Sequence, residues 1–263
     1  MIRLTHEQIM TLVECDWLGA GPIRLNSNLT LAELSDAPVL PNARLLLKCM
    51  DEDGGVKLTS TGNFGQKFVA RMAEEFTWPG YDREMLWRVN KVLNQADFPP
   101  LDFLHAIFDL ARLGRKSKGM LVLTKKGRSL LPEEAAGRLF VALFVATFKR
   151  YNLAYLDRRV VKDHFQAQIG LTLYLMSKVA EEPRTADELA GVIISPLENG
   201  TSSIRPGAVF QWRVLRYLEW FGLMEKAPSA ANDDWASPYL YRKMPLYDRF
   251  LLFDLGKRGD APR

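Results

Sequence analysis

The chain has 263 residues, of which 48% are hydrophobic and 25% are charged, and its formal net charge at pH 7 is +4. This length and composition are typical of a globular protein with one large or two ordinary domains, rather than of a disordered chain. The mild basic excess permits nucleic-acid binding without requiring it, so the positions of the charges matter more than their sum.

Cysteine usage and hydropathy favour a cytoplasmic location. The two cysteines, Cys15 and Cys49, both lie in apolar helical patterns. We interpret them as reduced core residues, and a disulfide between them is the alternative. The N-terminus lacks the layout of a signal peptide, and the longest strongly apolar run, Leu139–Phe148, is about half as long as a membrane span. We therefore expect a cytoplasmic protein without a membrane partner.

The N-terminal region predicts a short helix, a loop and a second helix. Thr5 and Gln8 have the spacing of a capping box, which opens the first helix. Residues 23–41 contain asparagine, serine and proline turn signals, so we expect a loop there. Asn42 is a suitable N-cap for a helix of residues 43–51.

Two segments share the form Leu-Thr-x-x-Gly, namely residues 58–62 and residues 123–127, which are 65 positions apart. Each follows a predicted helix and a short strand. The threonine hydroxyl can cap the helix that follows, and the glycine lets that helix pack closely on its neighbour. We interpret the two segments as a tandem repeat, and chance similarity between two strand-to-helix turns is the alternative.

The second half of the chain predicts a lobe boundary followed by a helix-turn-helix. Residues 152–162 are polar, follow a long apolar helix, and are the best candidate for the boundary. Thr185 and Glu188 form another capping box, which opens a short helix of the kind that precedes a recognition helix. Residues 207–221 are a strong helix candidate, and a β-hairpin wing with its tip at residues 227–238 is expected after them.

Five segments carry a resemblance to a family. In order, they are LLLKCMDEDGGVKLTSTGN, FPPLDFLHAIFDLARLGRKSKGMLVLTKKGRSLL, NLAYLD, TADELA and VLRYLEWFGLMEK. Over residues 40–250 their order and spacing resemble the C-terminal portion of uncharacterised bacterial proteins grouped with the plasmid open-reading-frame-three-like family. The resemblance implies a helical protein with winged-helix-like units, and it supplies no catalytic residue.

Pattern and resemblance together predict a mainly α fold with short β-hairpin wings, built from repeated winged-helix-like units in two lobes. Residues 1–151 would form an N-terminal lobe with two helix–wing–helix repeats. Residues 152–255 would form a C-terminal winged-helix-like lobe, and residues 256–263 a flexible tail.

The sequence contains no recognisable motif for catalysis or cofactor binding. It has no nucleophile elbow, phosphate-binding loop or dinucleotide fingerprint, and its histidines, His6, His105 and His164, are far apart. Asp102, His105 and Asp109 can share one helix face, which we interpret as the solvated polar face of an amphipathic helix. We expect no enzymatic activity, no cofactor, no metal and no small-molecule substrate.

The region between Leu110 and Leu131 contains seven cations and no acidic residue. They are Arg112, Arg115, Lys116, Lys118, Lys125, Lys126 and Arg128. A helix end, a wing tip and a helix start would bring these charges together, and a basic wing typically lies along the phosphate backbone. A solvated surface is the competing interpretation. A second cationic group, near the boundary, extends this surface or flanks the apolar helix: Lys149, Arg150, Arg158, Arg159 and Lys162.

The helix predicted for residues 207–221 offers a further set of nucleic-acid-binding candidates. They are Arg205, Gln211, Arg213 and Arg216. Arginine and glutamine can make bidentate contacts with base edges in the major groove. The helix is apolar nearly all round, however, so a packing helix is the competing interpretation.

We therefore expect a non-enzymatic protein that binds nucleic acid, most simply duplex DNA, and acts as a regulator. Its basic wings and the helix of residues 207–221 would make the contacts. The alternative is a protein-interaction or scaffold module whose units dock another protein or a second copy. Three aromatic residues of the predicted wing, Trp235, Tyr239 and Tyr241, motivate this alternative.

Overall fold

The computed structural model describes residues 2–159, 164–193, 204–228 and 239–256. The chain divides into two compact units. Residues 27–156 form the central unit, and residues 1–26 together with residues 157–263 form the terminal unit. The division after Leu156 falls within the segment that the sequence marks as a boundary. The first 26 residues, however, belong to the same unit as the C-terminal half and not to an N-terminal lobe.

The helices and strands of the described residues, in chain order, are α1 (His6–Glu14), β1 (Ile23–Leu25), α2 (Val39–Glu52), β2 (Val56–Lys57), α3 (Gln66–Glu75), α4 (Arg83–Val89), α5 (Pro99–Leu110), β3 (Gly114–Ser117), β4 (Met120–Leu123), α6 (Lys125–Ser129), α7 (Ala136–Lys149), α8 (Ile169–Val179), β5 (Arg184–Thr185), α9 (Ala186–Ile193), α10 (Pro206–Phe210), α11 (Arg216–Trp220), β6 (Met224–Pro228), β7 (Tyr239–Lys243), α12 (Pro245–Phe250) and β8 (Leu251–Phe253). A π-helical turn, Gln211–Leu215, joins α10 to α11. The fold is helix-rich but mixed α/β, since three small antiparallel sheets occur in the described part of the chain.

The central unit packs its helices against one face of a three-stranded sheet with the order β2-β4-β3. Leu121 and Leu123 of β4 are buried, whereas Met120 and Val122 between them are half-buried, as the two-residue period of a strand requires. The buried face contacts α2 and α5, and α7 packs against both of these helices. This core is almost entirely aliphatic and aromatic, as the apolar helical patterns predict.

The terminal unit also contains a three-stranded sheet, with the order β5-β7-β6. A second, two-stranded sheet pairs β1 with β8, so the N-terminal segment and the end of the chain are joined by backbone hydrogen bonds. Helix α8 packs on α1, and Gly170 lies so close to the Leu12 carbonyl that a Cβ atom would clash with it. This pairing explains why residues 1–26 belong to the terminal unit.

The two units follow the same order of elements. Each has a helix, a first strand, further helices, and then a hairpin whose second strand pairs with the first strand. The equivalence extends to single hydrogen bonds at the start of each hairpin. Leu113 N–H donates to the Phe108 carbonyl at 2.8 Å, and Leu223 N–H donates to the Leu218 carbonyl at 2.9 Å.

The predicted 65-residue repeat is therefore wrong. Residues 56–58 and 120–123 do not belong to two copies, because β2 and β4 are neighbours in one sheet. Thr124 does cap α6, since its hydroxyl accepts from Gly127 N–H at 3.0 Å. Thr59 caps no helix: it closes a turn with Asn63, and α3 begins later with Gly65 as its N-cap.

Two further predictions for the N-terminal region need correction, and one is confirmed. Thr5 and Gln8 do form a capping box at the start of α1. The expected loop of residues 23–41 contains strand β1, and α2 begins at Val39. Asn42 lies inside α2, where its buried amide bonds to the carbonyls of Pro38 and Thr77 instead of capping a helix.

The two cysteines, both among the described residues, do not form a disulfide. Cys49 is buried in α2, where burial raises the pKa of its thiol, whereas Cys15 is half-exposed and not a core residue. Within the described ranges, none of the helices has the length and apolar character that crossing a bilayer requires. The tail of residues 257–263 lies outside the described residues, as does the tip of the terminal hairpin at residues 229–238.

Candidate nucleic-acid interface

The cations of residues 112–128 lie on the hairpin of the central unit, β3 and β4 with their turn, and on α6 directly after it. We call the hairpin the central hairpin. All seven of the predicted side chains are exposed. Arg115 lies opposite Val122 in the strand register, and Lys118 occupies the turn with a positive φ of 50° followed by Gly119 at 73°. Two successive left-handed residues are the signature of a tight hairpin turn, which projects the Lys118 side chain from the tip.

Lys116 lies on the other face of β3 and reaches back over the unit. Its ammonium lies against Gly62, where a Cβ atom would be 2.9 Å away. It also lies close enough to the buried His105 ring to contribute to the lowered pKa of that histidine. The sequence pattern alone did not place a hairpin cation next to the 59–63 turn, because the pairing of β2 with β4 brings the two segments together.

Residues 110–113, at and just after the C-terminal end of α5, are held by three side chains from two other segments, the start of α6 and the end of α7. The Lys126 ammonium donates to the Ala111 carbonyl at 2.9 Å, and the Arg150 guanidinium donates to the Leu110 carbonyl at 2.8 Å. The Thr124 hydroxyl donates to the Arg112 carbonyl at 2.7 Å. A helix leaves its last carbonyls without intrahelical partners, and cations near them are favoured by the helix dipole.

Arg128 has an acidic partner, unlike its neighbours. Its guanidinium Nε is 3.0 Å from Asp51 Oδ1, and both side chains are substantially exposed. An exposed pair of this kind contributes at most about 1 kcal/mol and leaves the arginine able to exchange partners. The pair also connects α6 to the end of α2, which the separation of 77 residues in sequence did not indicate.

The corresponding hairpin of the terminal unit, β6 with β7, carries cations that are already paired. We call it the terminal hairpin. Arg242 is 3.0 Å from Glu225 across the strands, and the Lys243 ammonium lies 2.6 Å from Asp248 and 2.9 Å from Glu181. The Lys226 ammonium lies 3.9 Å from the centroid of the Tyr239 ring, a cation–π contact. Among the described residues of the terminal hairpin, Arg242 and Lys243 thus have carboxylate partners, and Lys226 has an aromatic one.

The four candidates on the predicted recognition helix have different environments. Arg205 is exposed and bonds to Asp187 at 2.6 Å, while Gln211 and Arg216 are half-buried. Arg213 is only 3% exposed and forms a 2.6 Å ion pair with the equally buried Asp157. Arg213 therefore belongs to the core of the terminal unit and cannot reach a base edge, which corrects its assignment as a contact residue.

His105 is also not where the sequence predicts it. Instead of lying on a solvated face, it is 7% exposed, and Phe64 stacks on its ring at 4.3 Å. Its Nδ1 lies 3.0 Å from Gln95 Oε1, so this nitrogen must carry the proton of the neutral ring. Gln95 donates in turn to Asp102 at 2.6 Å. Burial lowers the pKa of His105 to about 4, with a further contribution from Lys116.

Some residues near the interface were missed by sequence reasoning. Lys57 is exposed on β2 opposite Met120, and therefore shares the outer face of the sheet with Arg115. Lys57 and Lys67 line a surface cavity of about 770 Å³ between β2 and α3. Arg150 was placed in a separate cationic group, although it shares the end of α5 with Lys126. The alternation of apolar and polar residues in β2 could have indicated that Lys57 is exposed. The position of Arg150 could not have been found in this way, because it depends on a contact with Leu110, 40 residues away in sequence.

The prediction that Tyr241 is exposed on the terminal hairpin is wrong. It is 1% exposed, and burial raises the pKa of its hydroxyl. Tyr239 is half-buried beneath Lys226, and Trp235 lies outside the described residues. In the part of the chain that is described, no cluster of three or more His, Cys, Asp or Glu side chains is arranged to hold a metal ion.

Comparison with known proteins identifies the family. A family profile described as the Y4jL N-terminal domain matches residues 35–137, all within the central unit. The uncharacterised protein y4jL of Sinorhizobium fredii (strain NGR234) is 32% identical over 168 residues, which cover 64% of this chain and 74% of that protein. The chain belongs to the Y4jL family. This result confirms that the chain belongs to an uncharacterised bacterial family, as predicted.

The Y4jL match covers the cationic region of interest, since residues 112–128 lie inside the matched range. No solved structure matches the chain. The Y4jL relative is itself uncharacterised, so arguments about function must come from the geometry of the central and terminal units.

Proposed function

We propose that the central unit binds the phosphate backbone of nucleic acid, most simply duplex DNA, through the central hairpin and α6. One observation supports this proposal above others. Arg115, Lys116, Lys118 and Lys125 are exposed, and within the described residues no carboxylate lies within 4 Å of any of them. The cations of the terminal hairpin, in contrast, have carboxylate or aromatic partners.

The chemistry of this surface suits a polyanion. Lysine and arginine that neutralise phosphates release condensed counterions, and this release supplies most of the non-specific affinity for DNA. Arg115 lies near the base of the hairpin and Lys118 lies at its tip, so the two can contact different phosphates, whereas Lys116 extends from the other face of β3. A surface whose lysines already have carboxylate partners would have to break those pairs first, which reduces the gain.

We further propose that each unit is a winged-helix unit. The support is topological: both units have the sequence helix, strand, helices, strand, strand, with the first strand paired to the third. In such a unit the hairpin is the wing, and the helix before it is the recognition helix. This assignment also agrees with the resemblance found in the sequence.

The recognition-type helices of this chain are poorly suited to reading bases. In the central unit this helix is α5, most of whose side chains are buried, and the one residue of α5 that is classed as exposed is the acidic Asp109. In the terminal unit it is the helix of residues 206–220, where Arg213 is buried, and Arg205 at its N-cap is ion-paired. We infer binding that depends on the backbone and has little sequence preference.

A matched pair of variants tests the proposal. In the first, the four cations Arg115, Lys116, Lys118 and Lys125 are replaced by glutamine. In the second, four exposed cations of the terminal unit, Lys178, Arg184, Lys226 and Arg242, are replaced in the same way. Both proteins lose the same net charge. Fluorescence anisotropy with a labelled duplex at low salt should show at least about a tenfold loss of affinity for the first variant only, since salt-dependent affinity follows phosphate contacts.

Two results would contradict the proposal. One is the absence of binding by the unaltered protein at low salt. The other is an equal loss of affinity in the two variants, which would show that net charge and not the central hairpin determines affinity.

A protein-interaction role is the second candidate, and a separate feature favours it. Val89 at the end of α4 is 72% exposed, and Val92 just after it is 52% exposed. Exposed large apolar side chains close together mark sites of protein contact more often than isolated ones do. Light scattering after gel filtration should show self-association that Val89→Ser with Val92→Ser abolishes; a monomer at all concentrations would count against a second copy as the partner.

A further inference from the structure

The end of α5 brings together three cations that have no acidic partner. They are Arg112, Lys126 and Arg150, and none of them lies within 4 Å of a carboxylate in the described residues. The ammonium of Lys126 and the guanidinium of Arg150 are bonded to the carbonyls of two consecutive residues, which fixes them side by side. All three residues are nevertheless exposed.

These contacts leave donors for a ligand. An ammonium has three N–H donors and a guanidinium has five. The carbonyls of Ala111 and Leu110 each take one of them. Burial lowers the pKa of Lys126, and the positive charges of Arg150 and Arg112 lower that pKa further. The second effect shows that the three cations are close enough to repel one another.

The backbone at Arg112 is unfavourable for arginine. Its φ is +58°, in the left-handed region that residues with a Cβ atom seldom adopt. The terminal unit has Gly222 with a φ of +64° at the equivalent position, just before the leucine that bonds back into the helix. The central unit thus has an arginine where the same turn is built more easily with glycine. Strain of this kind is characteristic of functional positions.

We propose that Arg112, Lys126 and Arg150 form a binding site for a phosphate group at the C-terminal end of α5. A phosphate supplies several acceptor oxygens and a negative charge, and it would remove the repulsion among the three cations while accepting their remaining N–H groups. The ligand is the phosphodiester of a nucleic acid if the proposed function holds, and a free phosphate or phosphate monoester otherwise. The site itself does not depend on that function.

The variant Arg112→Gly separates binding from folding, because glycine suits the left-handed backbone better than arginine does. Arg158→Gly is its matched control, since Arg158 is also an exposed arginine with a positive φ, of 52°, but belongs to the terminal unit. Calorimetric titration with inorganic phosphate at constant ionic strength should show binding by the unaltered protein and by Arg158→Gly. Arg112→Gly should bind at least about tenfold more weakly, as expected for the loss of a charge-assisted hydrogen bond.

The proposed site would be contradicted if all three proteins bound phosphate with equal affinity, or if none of them bound phosphate. A titration of the same three proteins with a labelled duplex identifies the source of the phosphate. If the duplex binds and Arg112→Gly weakens it, the ligand is the nucleic-acid backbone. If no duplex binds while phosphate still does, the proposed function fails and the site stands as one for a free phosphate group.

Discussion

The three-stranded sheets of the central and terminal units have the same order of strands, but the cations of their hairpins differ in their partners. In the terminal unit, Arg213 is buried against Asp157, and Lys243 contacts two carboxylates. In the central unit, Lys118 and Lys125 have no carboxylate within 4 Å among the described residues. The buried pair of Arg213 and Asp157 belongs to the core of the terminal unit, whereas the turn, the cap and the strand pairing of the central unit do not require the charges of Lys118 and Lys125. This difference is the basis on which we propose a binding role for the central unit.

The largest expected effect comes from the buried ion pair of the terminal unit. Arg213→Met leaves the Asp157 carboxylate buried without its partner, and we expect a loss of about 3–5 kcal/mol in the free energy of unfolding. Arg128→Met in the central unit breaks an exposed pair and should cost at most about 1 kcal/mol. Urea unfolding of both variants measures the difference. Similar losses would show that burial does not distinguish the two pairs.

The next effect is a pH dependence that belongs to the central unit. The pKa of His105 is lowered to about 4, so the unfolded chain binds a proton at this residue more readily than the folded chain does. Stability contributed by neutral His105 is therefore complete above about pH 6.5 and is lost as the pH falls towards 4, to a total of about 3 kcal/mol. Unfolding titrations between pH 4 and 7 should show this slope.

The variant His105→Asn is the control for that slope. The asparagine amide can replace the Nδ1 donor to Gln95 but does not titrate, so most of the pH dependence in this window should disappear. An unchanged slope would assign the dependence to other groups.

A smaller effect tests the equivalence of Arg112 and Gly222 directly. Arg112→Gly should raise the free energy of unfolding by up to about 1 kcal/mol, because the left-handed backbone no longer carries a Cβ atom. Gly222→Ala should lower it by about the same amount for the same reason. Thermal unfolding detects shifts of this size. Changes of the same sign in the two variants would contradict the equivalence.

Features encoded in adjacent residues could be predicted from the sequence. The capping boxes at Thr5 and Thr185, the cap at Thr124 and the short strand after Gly55 are all present, because each depends on residues within four positions. Features that depend on distant partners could not be predicted. Nothing near Arg213 in the sequence points to Asp157, which is 56 residues away.

The repeat prediction failed for a related reason. Residues 58–62 and 123–127 do share the form Leu-Thr-x-x-Gly. The strand before the first of these segments, β2, has only two residues, however, and so short a strand does not specify its pairing partner. The structural correspondence instead relates the central unit to the terminal unit, where Leu113 corresponds to Leu223 and Thr124 to Met244 by their backbone bonds. The order of the strands and these backbone bonds reveal the correspondence.

The salt dependence of duplex binding tests the central claim most directly. The dissociation constant is measured at several salt concentrations for the unaltered protein and for the two variants in which four cations are replaced by glutamine. If the central hairpin binds phosphates, the slope of log Kd against log salt falls by about 0.9 for each phosphate that the central variant no longer neutralises, and it is unchanged in the terminal variant. Equal slopes in all three proteins would contradict the account.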